Sequence, residues 1–362
     1  MKDKTVKVAI IGSVGVPAKY GGFETLADKL VEHLANKFSL TVYCSGLQYS
    51  KRLNSYKGAA LEYVEFSANG VQSVFYDIIS IKRAVKEHDV LLILGVAGMF
   101  YIPWVKFFRK NKVILHIDGM EWKRDKWKWF AKSYLKYSEK LGILFADRVI
   151  ADNAAILKNV PKRYHKKTDL IAYGADHVQF ETVNEKLLKR LEIPFRDYSF
   201  SVCRIVPENN IRIILQAFKE SKKNLVLVGN WYDSNYGIDI WREFHQLENI
   251  ALIHPIYNQK ELDALRCNCS FYIHGHSAGG TNPSLVEAMA LGLKIIAFNV
   301  DFNCMTLNNN AWFFSTKEEL LELLNEKEYP CHLVTESKKM VELNYRWEGV
   351  TAKYASLIEK LN

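Results

Sequence analysis

Short, continuous apolar runs alternate with amphipathic helical patterns along most of the chain. Continuous apolar runs are typical of strands buried on both faces, and the segments between them repeat leucine and valine at helical spacing. Because parallel strands need a crossover connection, this alternation predicts parallel sheets covered by helices. The predicted strands are residues 6–11, 40–44, 61–66, 90–94, 113–117, 148–151, 170–173, 200–203, 225–228, 251–254, 271–274 and 295–298. The helices with the clearest spacing are residues 24–34, 212–220, 260–266 and 283–291.

A polar stretch from about residue 174 to residue 197 interrupts this alternation and carries only one short helical pattern. The chain has 362 residues, more than one hydrophobic core usually holds, so two domains of roughly 150 to 200 residues are expected. We predict an α/β protein of two Rossmann-like, doubly wound domains that face each other across a cleft and bind ligands at the carboxyl ends of their strands. The predicted domains are residues 1–178 and 179–340, and a C-terminal helix within residues 341–362 is expected to return to the first domain.

Composition excludes several classes of protein. With 49% hydrophobic and 25% charged residues, the chain is not expected to be disordered. It has no apolar run near the roughly 20 residues that cross a bilayer, and its start reads as a strand instead of a signal peptide. The six cysteines are scattered, and Cys267 and Cys269 lack the two-residue spacer of common zinc and redox motifs. We therefore predict a reduced, cytoplasmic protein without a metal site.

The positive charge is concentrated in one block. Residues 104–140 contain eleven Lys or Arg and four Asp or Glu, which is +7 of the net charge of +9, together with four of the eight tryptophans. Cations mixed with interfacial aromatic residues suit an anionic membrane surface, where each nearby Lys or Arg contributes about 1 kcal/mol. A solvated basic helix is the simpler alternative. Nucleic-acid binding is not predicted, because no recognised binding module accompanies the block.

Two glycines stand where the first predicted helix begins. Gly21 and Gly22 follow the first strand, and paired glycines there let backbone N–H groups approach a phosphate that the helix dipole also favours. Gly12 and Gly15 do not fit the G-x-G-x-x-G pattern, so a dinucleotide site is not favoured. A glycine-rich turn without a ligand is the alternative.

A histidine and two acids end the fifth predicted strand. His116, Asp118 and Glu121 lie within six residues at a carboxyl end, where the cleft of a doubly wound domain takes its polar groups. They are candidates for acid–base or substrate-positioning roles. The alternative is a buried, hydrogen-bonded histidine with two solvated carboxylates.

A single arginine follows the first strand of the second half. Arg204 comes directly after residues 200–203 and precedes a helical pattern. Its guanidinium suits bidentate phosphate binding. Arg204 is therefore a candidate anion-binding residue.

The loop after residues 271–274 is the richest in candidate groups. Two glycines lead to Thr281 and Asn282, either of which suits the N-cap of a helix that has Pro283 at its first position. The glycines leave backbone donors exposed to an anion. Glu287, one turn into that helix, is suited to accept hydrogen bonds from hydroxyl groups such as those of a ribose. Compensation of the helix dipole is its simpler interpretation.

Four segments together resemble a known family. They are residues 16–25 (VPAKYGGFET), 118–124 (DGMEWKR), 203–210 (CRIVPENN) and 279–292 (GGTNPSLVEAMALG). Over nearly the whole chain the pattern resembles family 4 retaining glycosyltransferases of the GT-B fold. More narrowly, it is similar to the bacterial rhamnosyltransferases that build capsule, O-antigen and cell-wall polysaccharides. The resemblance implies that the first domain forms the acceptor side and that the second binds the nucleotide sugar.

The resemblance also implies roles for individual residues. Arg204 would neutralise the donor diphosphate, and Glu287 would hold the nucleotide ribose. His116 falls where the wider family has a histidine that contacts the transferred sugar. Asp118 or Glu121 would orient the acceptor. The donor-binding set that the resemblance implies is Gly21, Gly22, Gly279, Gly280, Thr281, Asn282 and Glu287.

The implied reaction is a sugar transfer. We expect a metal-independent, retaining hexosyltransferase without a cofactor, which moves L-rhamnose from dTDP-rhamnose to a lipid-linked saccharide acceptor at the cytoplasmic face of the membrane. Three features depart from the family pattern. Gly279 replaces the first Glu of a Glu-x₇-Glu motif, Asn209 and Asn210 stand near the place of a lysine, and the rhamnosyltransferases often have Asn in place of His116. One alternative is the same fold with a UDP-hexose or UDP-N-acetylhexosamine donor. The other is a catalytically silent sugar-nucleotide-binding partner in polysaccharide assembly.

Overall fold

The computed structural model describes residues 5–19, 21–117, 119, 122 and 128–361. The chain forms two compact α/β units. The first comprises Met1–Tyr173 and Trp347–Asn362, and the second comprises Gly174–Arg346. The sequence predicts boundaries at residues 178 and 340, whereas in the structure the chain enters the second unit slightly earlier and leaves it slightly later.

The first unit is built on an eight-stranded sheet. Its strand order is β3-β4-β2-β1-β5-β6-β7-β8, and every pairing is parallel except that of β3 with β4. These strands are β1 Lys7–Ile11, β2 Ser39–Ser45, β3 Ser55–Tyr56, β4 Ala59–Val64, β5 Val90–Leu94, β6 Lys112–Ile117, β7 Arg148–Ala151 and β8 Thr168–Leu170. The helices of the first part of the chain are α1 Gly22–Leu34, α2 Gln72–Ala84, α3 Ile102–Phe108, α4 Trp129–Phe145 and α5 Ala154–Asn159.

Each face of this sheet carries its own apolar layer. Successive side chains of a strand point to opposite faces, so Val8 and Ile10 of β1 belong to one layer and Ala9 and Ile11 to the other. The first layer is covered by α1 and by the last helix, which is numbered α14 and spans Trp347–Leu361. The second layer is covered by α2, α3 and α4.

The second unit is built on a six-stranded parallel sheet with the order β11-β10-β9-β12-β13-β14. These strands are β9 Ser199–Val202, β10 Leu225–Val228, β11 Ile250–Ile253, β12 Tyr272–His274, β13 Ile295–Phe298 and β14 Trp312–Phe314. The helices of this unit are α6 Glu185–Arg190, α7 Ile211–Ser221, α8 Asn235–Phe244, α9 Gln259–Cys267, α10 Pro283–Ala290, α11 Asp301–Leu307, α12 Lys317–Asn325 and α13 Cys331–Asn344.

The strand order reverses once in each sheet. β1 lies between β2 and β5, and β9 lies between β10 and β12. Connections leave such a central strand in opposite directions, so a crevice opens at the carboxyl ends of the two adjacent strands. In the first unit Gly12 and Gly95 follow these ends, and in the second unit Cys203 and Gly275 do so.

The predicted α/β class with two parallel sheets is confirmed. Four apolar runs coincide with the observed strands β5, β7, β10 and β13. The run at residues 170–173 was expected to pair, but β8 ends at Leu170, and Ile171 and Tyr173 are buried in the first apolar layer instead. The sequence does not predict the two-residue β3 or the three-residue β14.

The turn after β1 has no space for a side chain. Gly12 has a φ of +98°, and a Cβ atom there would lie 2.1 Å from the carbonyl oxygen of Leu94. Gly12→Ala should therefore lower the free energy of unfolding of the first unit by about 3 kcal/mol or more. Gly70→Ala is the matched control, because its φ is +68° but no described heavy atom lies within 4 Å of that Cβ.

This control should cost only about 1 kcal/mol, the penalty of a left-handed residue alone. Urea unfolding followed by tryptophan fluorescence measures both variants. Equal destabilisation by the two substitutions would contradict the close approach of Gly12 to Leu94.

Candidate functional site

Two loops of the second unit meet at its crevice. One follows β9 and the other follows β12, so parallel pairing places them side by side. The Asn210 side chain donates a hydrogen bond to the carbonyl of Gly275 at 2.8 Å. The backbone N–H and the hydroxyl of Ser277 both donate to the carbonyl of Glu208, each at 2.8 Å. The loops are therefore tied into one structure.

The loop after β12 ends in a well-formed helix start. Asn282 is the N-cap of α10, because its Oδ1 accepts hydrogen bonds from the Ser284 N–H at 3.0 Å and from the Ser284 hydroxyl at 2.8 Å. Pro283 is the first helical residue. Of the two caps that the sequence allows, the structure uses Asn282, and Thr281 is buried beside it. The N-terminal end of α10 carries the partial positive charge of the helix dipole.

The glycine pair before this helix follows a tight path. Gly279 and Gly280 are both buried. Gly279 has a φ of +132°, and a Cβ atom there would lie 2.9 Å from Nε2 of His276. His276 Nδ1 in turn lies 2.6 Å from Oδ1 of Asn209. A side chain such as glutamate at position 279 would need this loop to move.

Arg204 is an exposed cation at the same crevice. It follows β9, and its guanidinium forms no ion pair with any described carboxylate. Its backbone carbonyl accepts a 2.6 Å hydrogen bond from the Asn209 side chain, which holds the start of the loop. Arg212, the next arginine along the chain, is instead paired with Glu243. The guanidinium of Arg204 is thus accessible to an anionic ligand.

Glu287 lies on α10 and is held by two basic side chains. Its Oε2 lies 2.7 Å from Nη2 of Arg266, and its Oε1 lies 3.2 Å from Nε2 of His177. Arg266 also contacts Asp263 at 3.0 Å. Burial by itself would raise the pKa of Glu287, but Arg266 and His177 outweigh it and hold that pKa below its usual range. The carboxylate is therefore ionised at neutral pH.

Sequence reasoning missed Arg266 and His177. Arg266 ends the predicted helix at residues 260–266, where a basic residue is normally solvated, yet only 1% of its surface is exposed. Its i,i+3 spacing from Asp263 was the one local signal. His177 lies in the polar stretch before α6, and nothing in the sequence links it to Glu287.

The glycine pair of the first unit also opens a helix. α1 begins at Gly22, and Gly21 precedes it with a φ of +127°. A Cβ atom on Gly21 would lie 1.9 Å from Oε2 of Glu24. The other carboxylate oxygen of Glu24 accepts a 2.8 Å hydrogen bond from the Val14 N–H, so it holds the loop after β1 against the start of α1.

His116 is buried near the end of β6. Only 1% of its surface is exposed, and its Nδ1 lies 2.9 Å from the hydroxyl of Tyr354 on α14. Phe23 packs against the ring edge-on, with 5.2 Å between the ring centroids. Nε2 has no hydrogen-bond partner among the described residues. Asp118 and Glu121 lie outside the described residues, so their roles stay predictions, as does the contact of His116 with a sugar.

The predicted residues fall into two groups. In the second unit Arg204 and the loop of residues 279–282 follow the adjacent strands β9 and β12, and Glu287 lies on α10, the helix that this loop precedes. In the first unit Gly21, Gly22 and His116 lie near the carboxyl ends of their strands. Within the described parts of both units, no cluster of three or more His, Cys, Asp or Glu is arranged to hold a metal ion.

Two family models match successive parts of this chain. Residues 184–340 match the family model described as glycosyl transferases group 1, and residues 5–176 match a domain of unknown function, DUF1972. Glycosyltransferase 1 domain-containing protein 1 from Xenopus tropicalis is 24% identical over 149 residues, which cover 40% of this chain and 43% of that protein. The chain thus matches less than half the length of that relative.

Two solved structures share the architecture. Sucrose-phosphate synthase from Thermosynechococcus elongatus has a TM-score of 0.81 at 14% identity, covering 98% of this chain and 99% of that chain. HepE from Anabaena, solved in complex with UDP-glucose, has a TM-score of 0.73 at 13% identity, covering 98% and 99%. The protein therefore has the GT-B fold of glycosyltransferases, and most of its second unit matches the glycosyl transferases group 1 model.

Two buried histidines are expected to stay neutral over the physiological pH range. Burial lowers the pKa of His116 and of His274, at the end of β12, to about 3. The unfolded chain takes up these protons near pH 6.5, so the stability linked to each neutral ring is complete above that pH and is lost as the pH falls towards 3. In an NMR titration, neither ring should shift between about pH 5 and pH 8.

The variants His116→Asn and His274→Asn assign the two signals, and the protein unfolded in urea is the reference for free titration. A midpoint above pH 5 for either ring in the folded protein would contradict its burial.

Proposed function

We propose that the protein is a retaining, metal-independent hexosyltransferase that moves a sugar from a nucleotide-sugar donor to an acceptor hydroxyl. One observation carries this proposal. In the part of the chain that matches glycosyl transferases group 1, Arg204 follows β9 and α10 follows the adjacent strand β12. The guanidinium of Arg204 is exposed and is not paired with a described carboxylate, and the carboxylate of Glu287 on α10 is ionised. An anion and a hydroxyl-bearing group are the two ligands that such a set recognises.

The chemistry follows from where charge develops. Breaking the anomeric C–O bond of a nucleoside diphosphate sugar places negative charge on the leaving diphosphate, and positive charge develops on the sugar as in glycoside hydrolysis. Arg204 and the α10 dipole would stabilise the diphosphate. For retention, the acceptor hydroxyl attacks the face that the diphosphate leaves and gives its proton to the departing phosphate. Glu287 would hold the pentose, and Asp118 or Glu121 would orient the acceptor.

For the donor we propose dTDP-rhamnose. A deoxy-sugar presents fewer hydroxyls, and Gly279 offers no side chain where the family pattern has a glutamate. The alternative is a UDP-hexose or UDP-N-acetylhexosamine donor, which the likeness to UDP-glucose-bound HepE favours.

A panel of labelled nucleotide sugars, incubated with membranes that carry lipid-linked glycan, tests these proposals. We expect transfer with dTDP-rhamnose to exceed transfer with UDP-glucose or UDP-N-acetylglucosamine, and Arg204→Ala to lower kcat/KM by about 10²- to 10³-fold. Arg242→Ala is the matched control, because this exposed arginine of α8 is paired with Asp239 and belongs to neither the loop after β9 nor the loop after β12.

Arg242→Ala should keep normal rates. Near-normal rates for Arg204→Ala would refute its assigned role. Donor binding without transfer to any acceptor would favour the remaining alternative, a catalytically silent sugar-nucleotide-binding partner.

We also propose that the acceptor is a lipid-linked saccharide reached at an anionic membrane surface. Large aromatic side chains are exposed at the end of α3 and the start of α4, where Phe107 and Phe108 expose 78% and 68% of their surface and Trp129 and Phe130 expose 67% and 66%. Exposed cations lie on or beside these helices: Arg109 and Lys110 follow α3, Lys112 begins β6, Lys128 precedes α4, and Lys136 and Lys140 lie within α4. Among the described residues, no helix is long and apolar enough to span a bilayer, so contact would be peripheral.

A surface groove lined by residues of α2 and α3 carries further cations of the first unit. It has a volume of about 530 Å³. Two stacked aromatic rings, Tyr101 and Trp104, form part of its lining. The cations that line it are Lys82, Arg83, Lys86 and Arg109, none of which is paired with a described carboxylate. The positive surface therefore includes cations of α2 and the residues after it, which lie outside the sequence block of residues 104–140.

Replacing the exposed aromatic rings of α3 tests the membrane contact. The double variant Phe107→Ser and Phe108→Ser should weaken binding to phosphatidylglycerol-containing vesicles by at least about tenfold, since each ring that enters the interface contributes on the order of 1 kcal/mol or more. Co-sedimentation with vesicles measures this, and dTDP affinity should not change.

A second double variant, Phe180→Ser and Tyr257→Ser, removes rings that are each 70% exposed but belong to the second unit. It should bind vesicles normally. Unchanged vesicle binding by the α3 variant would overturn the proposed membrane face.

A further inference from the structure

A buried ionic chain ends on Glu287. It runs from Asp263 through Arg266 to Glu287 and then to His177, with contacts of 3.0, 2.7 and 3.2 Å. Asp263 is itself held by the Gln259 side chain at 2.9 Å and by the Gln179 N–H at 3.2 Å. Four charged or titratable groups are thus linked beneath the crevice of the second unit.

A contribution to the stability of the fold does not by itself explain this buried ionic chain. A buried ion pair rarely stabilises a fold more than apolar side chains of similar volume, because both charges must be removed from water. The side chains of Arg266 and Asp263 are only 1% and 2% exposed, so this desolvation is nearly complete. Such an arrangement is better suited to fixing the orientation of a group than to adding stability.

The orientation that it fixes is that of one carboxylate. Arg266 approaches from the end of α9 and holds Oε2, while His177 approaches from the segment before α6 and holds Oε1. Two contacts from different elements restrict both the position and the rotation of the group. A carboxylate has about four lone-pair positions, so each oxygen keeps one for a ligand, and 12% of the Glu287 side chain is exposed.

We propose that Arg266 and His177 are positioning residues, which hold the Glu287 carboxylate in the orientation that accepts a hydrogen bond from the 3′-hydroxyl of the donor nucleotide. This inference rests on the proposed function, in which Glu287 holds the pentose. It adds that recognition of the hydroxyl depends on two residues that do not touch the ligand.

The test is a comparison of two nucleotides in several variants. Isothermal titration calorimetry measures the affinity for dTDP or UDP, whichever binds the wild-type protein more tightly, and for the 3′-deoxy analogue of that nucleotide. The wild-type protein should lose about tenfold or more in affinity when the hydroxyl is absent, because a hydrogen bond to a charged group is lost. In Arg266→Met the ratio of the affinity for the nucleotide to that for its 3′-deoxy analogue should fall below about threefold, because Arg266 no longer holds the carboxylate of Glu287.

His177 offers a second and milder pair of variants. His177→Ala should reduce the ratio in the same direction, while His177→Gln, which keeps an N–H donor for Oε1, should retain most of it. Tyr198→Phe is the matched structural control. It removes a buried 2.9 Å hydrogen bond to the carbonyl of Leu265 on α9 but does not touch Glu287. Its ratio should equal that of the wild-type protein.

The outcomes separate this inference from the proposed function. If the wild-type protein binds neither nucleotide, the proposed function fails, and this inference fails with it. If the wild-type protein binds but shows no preference for the 3′-hydroxyl, or if both Arg266→Met and His177→Ala keep the full preference, the positioning roles are overturned while nucleotide binding stands. Should Arg266→Met not fold, the contrast between His177→Ala and His177→Gln decides.

Discussion

The parallel pairing of β9 with β12 is the constraint on which the candidate site depends. These strands are adjacent in the sheet but distant in sequence, and their connections leave in opposite directions. Their carboxyl ends must therefore open side by side, which brings Arg204 and the loop of residues 279–282 to one place. Apolar burial enforces this pairing, because Phe200 of β9 and Tyr272 of β12 are both fully buried.

Two loops that leave a buried sheet side by side need partners for their backbone groups. Asn209 and Asn210, which stand near the place of a lysine in the family pattern, meet this need. Asn209 contacts the carbonyl of Arg204 and the ring of His276, and Asn210 binds the carbonyl of Gly275. These amides thus tie the two loops together, and Arg204 is an exposed charge at the start of the first loop. The stabilisation of a diphosphate would then depend more heavily on one guanidinium and on the α10 dipole.

Sequence reasoning located the strands and the helix starts because both are local features. Continuous apolar runs and an Asn-Pro pair carry their own signal within a few residues. Contacts between distant segments carry none. The burial of Arg266, its contact with Glu287 and the approach of His177 depend on how α9, α10 and the segment before α6 pack. A sequence shows that an arginine is present, but only the fold shows that Arg204 is exposed and Arg266 is buried.

The position of α14, the C-terminal helix of the first unit, also depends on a contact between residues that are distant in sequence. Apolar packing holds α14 against the sheet, but such packing has no direction and would tolerate displacement along the helix axis. The 2.9 Å contact between Tyr354 and Nδ1 of His116 is directional, and both groups are buried, so losing it would leave polar atoms without partners. This contact therefore specifies where α14 lies on the sheet. It also engages Nδ1, so Nε2 is the ring atom through which His116 would have to act in any contact with a sugar.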